Sequence, residues 1–301
     1  VKKRNDLQRY LDPSIISKLK TLDLKARYVV EGFLVGLHKS PYHGFSVEFS
    51  EHRPYNQGDP IRNIDWKVYA RKEKFFIKQY EEETNLIAHV LLDSSNSMSF
   101  RRGGAISKFE YGKILAAAIS YLLINQQDSV GFALYSEKIE TYLKPKSNRV
   151  YLKEILVQIN NSFPRNKTAT ANSLRVIAQT IKKRGLVIII SDFLDDYNSI
   201  ISALKHFHYK KNEIILFQIL DPYELNFGFE KDALFIDLET GDKLNTQPGI
   251  IQRAYLEELN RFLDKLQNEC RNYGIDYNLI STTTPFDKAL LSFFNKRRRM
   301  G

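Results

Sequence analysis

Cysteine is almost missing from this chain, and the absence excludes much. The single Cys270 cannot form an intrachain disulfide and leaves no Cys cluster for a metal, which fits a reducing cytosol. No apolar run approaches the ~20 residues of a membrane span, and the first residues lack a signal-peptide pattern. The expectation is a soluble cytoplasmic protein. The six histidines at 38, 43, 52, 89, 206 and 208 show no H-x-x-x-H metal spacing. No G-x-S-x-G elbow announces a serine nucleophile, and no repeat, low-complexity tract or flexible linker breaks the chain.

Positive charge, by contrast, is in excess. The formal balance is +10, which raises the question of an anionic partner. Basic runs lie at Lys2-Lys3-Arg4, Lys182-Lys183-Arg184, Lys210-Lys211 and Lys296-Arg297-Arg298-Arg299, interrupted by acidic Glu81-Glu82-Glu83 and Asp195-Asp196. No recognised nucleic-acid motif accompanies them, so solvated runs are the favoured reading. Binding of nucleic acid or another anionic surface through the basic face is the alternative. With 301 residues and 43% hydrophobic content, the chain can bury a sizeable core in one large domain or two ordinary ones.

The most informative stretch is 86–98. Its apolar run, Leu86-Ile87-Ala88-His89-Val90-Leu91-Leu92, reads as a strand buried on both faces, as in parallel sheets. It ends in Asp93, with Ser95 and Ser97 just beyond. In open α/β sheets ligands bind at such carboxyl ends, where strand order reverses. A carboxylate with two hydroxyls offers hard oxygen donors, suited to Mg²⁺, Ca²⁺ or Mn²⁺ rather than zinc. The bland alternative is a helix N-cap.

Around it, Asp12-Pro13 and the apolar spacing predict helix over 12–37, broken near Leu22-Asp23. Between Gly36 and Arg71, Arg53, Asp59, Arg62, Asp65 and Arg71 crowd around Trp66. They predict an ion-pair and hydrogen-bond network with Trp66 as buried anchor; an anion or partner site lined by the arginines is the alternative. Strands are expected at 45–49, 75–80, 130–135, 139–143, 186–190, 213–220, 234–237 and 276–281. Helices are expected at 109–126, 151–160, 171–183, 199–207 and 251–272, with a short one after Pro285. This order predicts an α/β fold with a doubly wound, mainly parallel sheet in residues 86–301, the early hairpin giving an antiparallel edge. Residues 1–85 are expected to form a helical and β extension packed on it.

With that order laid out, Asp93-Ser94-Ser95-Asn96-Ser97 matches the D-x-S-x-S signature of von Willebrand factor A-like domains, and the resemblance covers 86–284. The preceding block is more specific: Gly36-x-His38-x-Ser40, Gly44, Glu48-Phe49, Arg53-x-Tyr55, Gly58-Asp59, Arg62, Ile64-Asp65-Trp66 and Ala70-Arg71. It resembles a bacterial subgroup, the domain-of-unknown-function family numbered fifty-eight, over nearly the whole chain.

The resemblance implies a metal-ion-dependent adhesion site holding Mg²⁺ (or Mn²⁺/Ca²⁺) on Asp93, Ser95, Ser97, Thr168 and Asp192. The usual Gly pair before the threonine and the Asp after it are replaced by Asn166-Lys167 and Ala169, and Thr170 competes for the ligand role. The resemblance also implies a non-enzymatic protein-binding adaptor, whose partner is a MoxR-type AAA+ ATPase or its client, met through an acidic residue. A phosphoester hydrolase using Asp93 is the rival. Enzymes of that kind need a second Asp two residues on, where Ser95 stands.

Overall fold

The computed structural model describes residues 11–38, 52–54, 69, 74–78, 86–165, 170–229, 233–236, 243–246 and 248–300. Asp59, Arg62, Asp65, Trp66 and Arg71 lie outside them, so the network expected around Trp66 is not described; Arg53 falls on a short strand. By its contacts the chain divides into two units, Val1–Gly36 with Leu86–Gly301, and Leu37–Asn85. The helices that the sequence assigns to the N-terminal extension therefore group with the sheet.

In the smaller unit, strand β1 (His52–Pro54) pairs antiparallel with β2 (Phe76–Lys78), His52 opposite Lys78. The Tyr69 ring stacks on Phe75 at 4.4 Å.

The larger unit opens with helices α1 (Pro13–Ile16) and α2 (Leu22–His38). Asp12 caps the first by accepting from Ser14 N at 2.8 Å, as the Asp-Pro pair predicts. Then follow β3 (Ile87–Asp93), a 3₁₀ turn (Asn96–Ser99), α3 (Lys108–Asn125), β4 (Ser129–Tyr135), β5 (Ile139–Lys146), α4 (Arg149–Asn161), α5 (Thr170–Thr180), β6 (Leu186–Ser191), α6 (Tyr197–Tyr209), β7 (Glu213–Leu220), α7 (Pro222–Asn226), β8 (Ala233–Ile236), β9 (Lys243–Thr246), α8 (Pro248–Asn272), β10 (Asp276–Ser281) and α9 (Phe286–Met300).

Six strands form one sheet in the order β10-β7-β6-β3-β4-β5, parallel except for the β4–β5 edge hairpin. The expected mainly parallel sheet is what the chain forms. One strand departs: β8 stays out of it and pairs antiparallel with β9 as a separate ribbon, Ala233 opposite Thr246. The sequence reading makes 234–237 a further strand of the series and gives no sign of its partner.

Alternation along the strands splits the core. Leu91, Ile189 and Leu216 join α5, α6 and α8 on one face, in a cluster with Leu174, Ile177, Phe207 and Leu266. On the other face α3 comes so close at Gly112 that a Cβ there would lie 3.0 Å from Leu92 and 3.2 Å from Ile190. Phe286 of α9 stacks on Tyr111 of α3 at 4.3 Å, and Phe294 meets Phe33 of α2 at 4.9 Å. The apolar runs are buried on both faces, as their composition demands.

One glycine is required by close approach. A Cβ on Gly185, at the entry to β6, would stand 2.1 Å from the Ile87 carbonyl oxygen, a backbone atom that cannot swing aside. Gly185→Ala is expected to destabilise by about 1–3 kcal/mol, as overpacking does. A urea midpoint unchanged from wild type would contradict the close approach of β6 to β3.

Candidate metal-binding site

The chain connects β3 rightward to β4 and β5, then returns to β6 on the other side of β3 and continues to β7 and β10. The strand order therefore reverses between β3 and β6. Their carboxyl ends bring Asp93 and Asp192 together at the crevice where such sheets bind ligands. Both carboxylates are fully buried, as are Ser95, Ser191 and Thr170; Ser97 is half-buried.

Asp93 is held by neutral donors. The Ser95 amide donates to its Oδ1 at 2.8 Å, while the hydroxyls of Ser191 and Thr170 donate to Oδ2 at 2.6 and 3.2 Å. Ser95 and Ser97 hydroxyls lie 3.1 Å apart. Burial and the facing Asp192 carboxylate push the Asp93 carboxyl up to about 6, against the pull of the hydrogen bonds. Of the five residues expected to hold a metal, four are therefore described and all four belong to this end of the sheet. Thr168 lies outside the described residues. Thr170, its competitor, donates its hydroxyl to Asp93.

Asp192 is anchored differently. The Lys108 ammonium, fully buried at the start of α3, donates to its Oδ2 at 2.8 Å and to Glu224 Oε1 at 2.6 Å. Burial alone would lower the Lys108 pKa, but the two carboxylates more than reverse this and raise it. The backbone around Asp192 is fixed as well. Gln218 Nε2 donates to its carbonyl at 2.6 Å, and Phe193 takes a left-handed φ of 53°.

Glu224 serves twice. Its Oε2 accepts from the Asp221 amide at 2.7 Å in a capping box that starts α7. Asp221 in turn accepts from the amides of Arg102 at 3.0 Å and Gly103 at 2.8 Å, tying down the loop before α3.

The loop leading to Thr170 is tethered too. The Arg165 amide donates to the Ser94 carbonyl at 2.8 Å. Its guanidinium donates to Glu140, which also accepts from the Ser94 and Ser136 hydroxyls.

Sequence reasoning missed Lys108, Glu224 and Ser191. The Asp221-Pro222-Tyr223-Glu224 capping box was a legible signal. So was a lysine in the first turn of a helix, where the dipole disfavours a cation.

The donors fit a hard divalent cation. Asp93, Asp192 and Glu224 carry three negative charges against one on Lys108, and among the described residues no cation pairs with Asp93. Among the same residues no three His, Cys, Asp or Glu side chains converge as a metal cluster. Any ion here would therefore rest on hydroxyls as well as carboxylates, as Mg²⁺ and Mn²⁺ permit.

These features define an α/β protein with an oxygen-donor crevice at its switch point. The chain belongs to the family described as "Protein of unknown function DUF58", whose model matches residues 51–260. It is similar to the uncharacterized proteins Rv1480 of Mycobacterium tuberculosis and Mb1516 of Mycobacterium bovis. Each is 26% identical over 236 residues, covering 76% of this chain and 73% of the relative. Among solved structures it is similar to the conserved hypothetical protein BatB of Bacteroides thetaiotaomicron (18% identity, 71% of this chain and 99% of that one, TM-score 0.46). It is likewise similar to the SpRpn10 VWA domain (14% identity, 69% and 94%, TM-score 0.43).

Proposed function

We propose that the chain is a non-enzymatic adaptor that binds an acidic residue of a partner protein through a divalent cation. The observation that carries this reading is the fully buried Asp93 carboxylate, held among the described residues by neutral donors, beside the Ser95 and Ser97 hydroxyls. Asp93, Ser95, Ser97 and Asp192, with Thr168 or Thr170, would hold Mg²⁺ or Mn²⁺. A bound ion with so few charged ligands supplies attraction for an incoming carboxylate. Asp192 is paired with Lys108, and Ser95 stands where a phosphoester hydrolase of the rival kind needs its second Asp, which favours binding over hydrolysis. The partner proposed is a MoxR-type AAA+ ATPase or the client it remodels, and the compartment the cytoplasm.

Calorimetry tests the metal: Mg²⁺ or Mn²⁺ should bind wild type and not Asp93→Ala. Affinity capture with and without EDTA tests the partner. Partner capture unaffected by EDTA and by Asp93→Ala would overturn the reading, as would phosphoester turnover abolished by Asp93→Ala.

A further inference from the structure

Three of the basic runs, far apart in sequence, converge on one end of the sheet. Lys182-Lys183-Arg184 lead directly into β6, and Lys210-Lys211 into β7. The two runs face each other across an open cleft lined by Lys182, Lys183, Arg184, Lys210 and Asn212. The third run, Lys296-Arg297-Arg298-Arg299, occupies the last turns of α9. Lys296 Nζ reaches Glu213 at 2.6 Å and Asp276 at 2.8 Å, the first residues of β7 and β10. Strands β6, β7 and β10 are parallel, so all three runs gather where these strands begin. The crevice of Asp93 and Asp192 lies where β3 and β6 end. A strand of about six residues separates the two ends by ~20 Å.

Among the described residues the charge there is little neutralised. Glu213 and Asp276, the carboxylates that open β7 and β10, are both engaged by Lys296, and Glu269 lies 3.7 Å from Lys205. Lys182, Lys183, Arg184 and Lys211 are exposed and make no ion pair among the described residues. Lys210 is spent on structure, donating to the Gln179 and Ile181 carbonyls at 3.0 Å at the end of α5. Tyr209, 72% exposed, stands beside it.

We infer that this end of the protein is a docking surface for an anionic lipid membrane. The exposed charges that precede β6 and β7 come from separate elements and spread over an area rather than along a line, which suits a plane of headgroups. Of the four exposed charges without an ion pair among the described residues, three are lysines (Lys182, Lys183 and Lys211), compact and strongly hydrated, which suit diffuse attraction better than the bidentate recognition arginine provides. A cluster of this size is attracted to an anionic leaflet by about 1 kcal/mol per basic residue. Exposed Tyr209 has the amphipathic ring that settles at headgroup level. Among the described residues no helix is long and apolar enough to cross a membrane, and the inferred attachment is through surface charge. Docked this way, the protein would hold its oxygen-donor crevice away from the lipid.

The test is co-sedimentation of the full chain with vesicles of phosphatidylcholine, with and without phosphatidylglycerol. Wild type should bind only the anionic vesicles and be released by salt. Lys182→Gln/Lys183→Gln/Arg184→Gln/Lys211→Gln should weaken binding by at least about 100-fold, with its circular dichroism unchanged. Arg101→Gln/Arg102→Gln, which removes charge at the opposite end, should bind as wild type does. Equal binding to neutral vesicles, no binding to anionic ones, or equal loss in both variants would overturn the inference. So would a single-stranded oligonucleotide that binds through the same residues while vesicles do not.

Discussion

Lys108→Met is expected to destabilise the protein by about 3–5 kcal/mol, the range for breaking a buried ion pair by removing one partner. The ammonium is fully buried and is the described cation in contact with both Asp192 and Glu224. Its loss leaves two carboxylates desolvated against each other and against Asp93. Urea denaturation with the slope held constant measures the effect, and a loss below about 1 kcal/mol would show that Lys108 is not their counter-ion. Adding Glu224→Gln should return part of the loss, because one of the stranded charges is then gone. If the crevice binds Mg²⁺, the ion should raise the melting temperature of Lys108→Met more than that of wild type, since it meets more uncompensated negative charge.

A second large effect should appear with pH. His89 lies in the middle of β3, almost wholly buried, and its Nδ1 has no hydrogen-bond partner among the described residues. Burial lowers its pKa from the usual 6.5 to about 4. In this window the unfolded chain binds a proton that the folded chain refuses. Stability contributed by the neutral imidazole is therefore full above pH 6.5 and falls as pH drops towards 4, by at most about 3 kcal/mol. The raised Asp93 carboxyl acts in the opposite sense over the same window, so the test is the difference: between about pH 7.5 and about pH 5 the denaturant midpoint should fall further in wild type than in His89→Leu. An equal acid loss in both proteins would assign it to other groups.

Much of the fold is legible in the sequence because burial on both faces leaves a plain mark. The runs ending at Asp93 and Ser191-Asp192 are apolar without alternation, and both form central strands closing on one crevice. Strand 213–220 is legible to its residue limits for the same reason. The ribbon of β8 and β9 is not, since its four-residue strands are too short for a period to declare itself. In the site, the hydroxyl and carboxylate donors are legible because D-x-S-x-S is local. Lys108 is not, because its partners lie 84 and 116 residues away, and only the packing of α3 against β6 and α7 brings them together.

The two uses of Glu224 and the amide ladder on Asp221 set a rule for anyone remodelling this end of the protein. The segment 101–108 and the turn 221–224 share two backbone hydrogen bonds to Asp221 and one ion pair to Glu224. Gly103 leaves no room between them, since a Cβ there would lie 2.8 Å from both Pro222 and Tyr223. Neither segment can be exchanged alone for that of a relative without stranding the other's polar groups. The two segments are a single transplantable cassette in two pieces, and a chimera that keeps the fold must carry both.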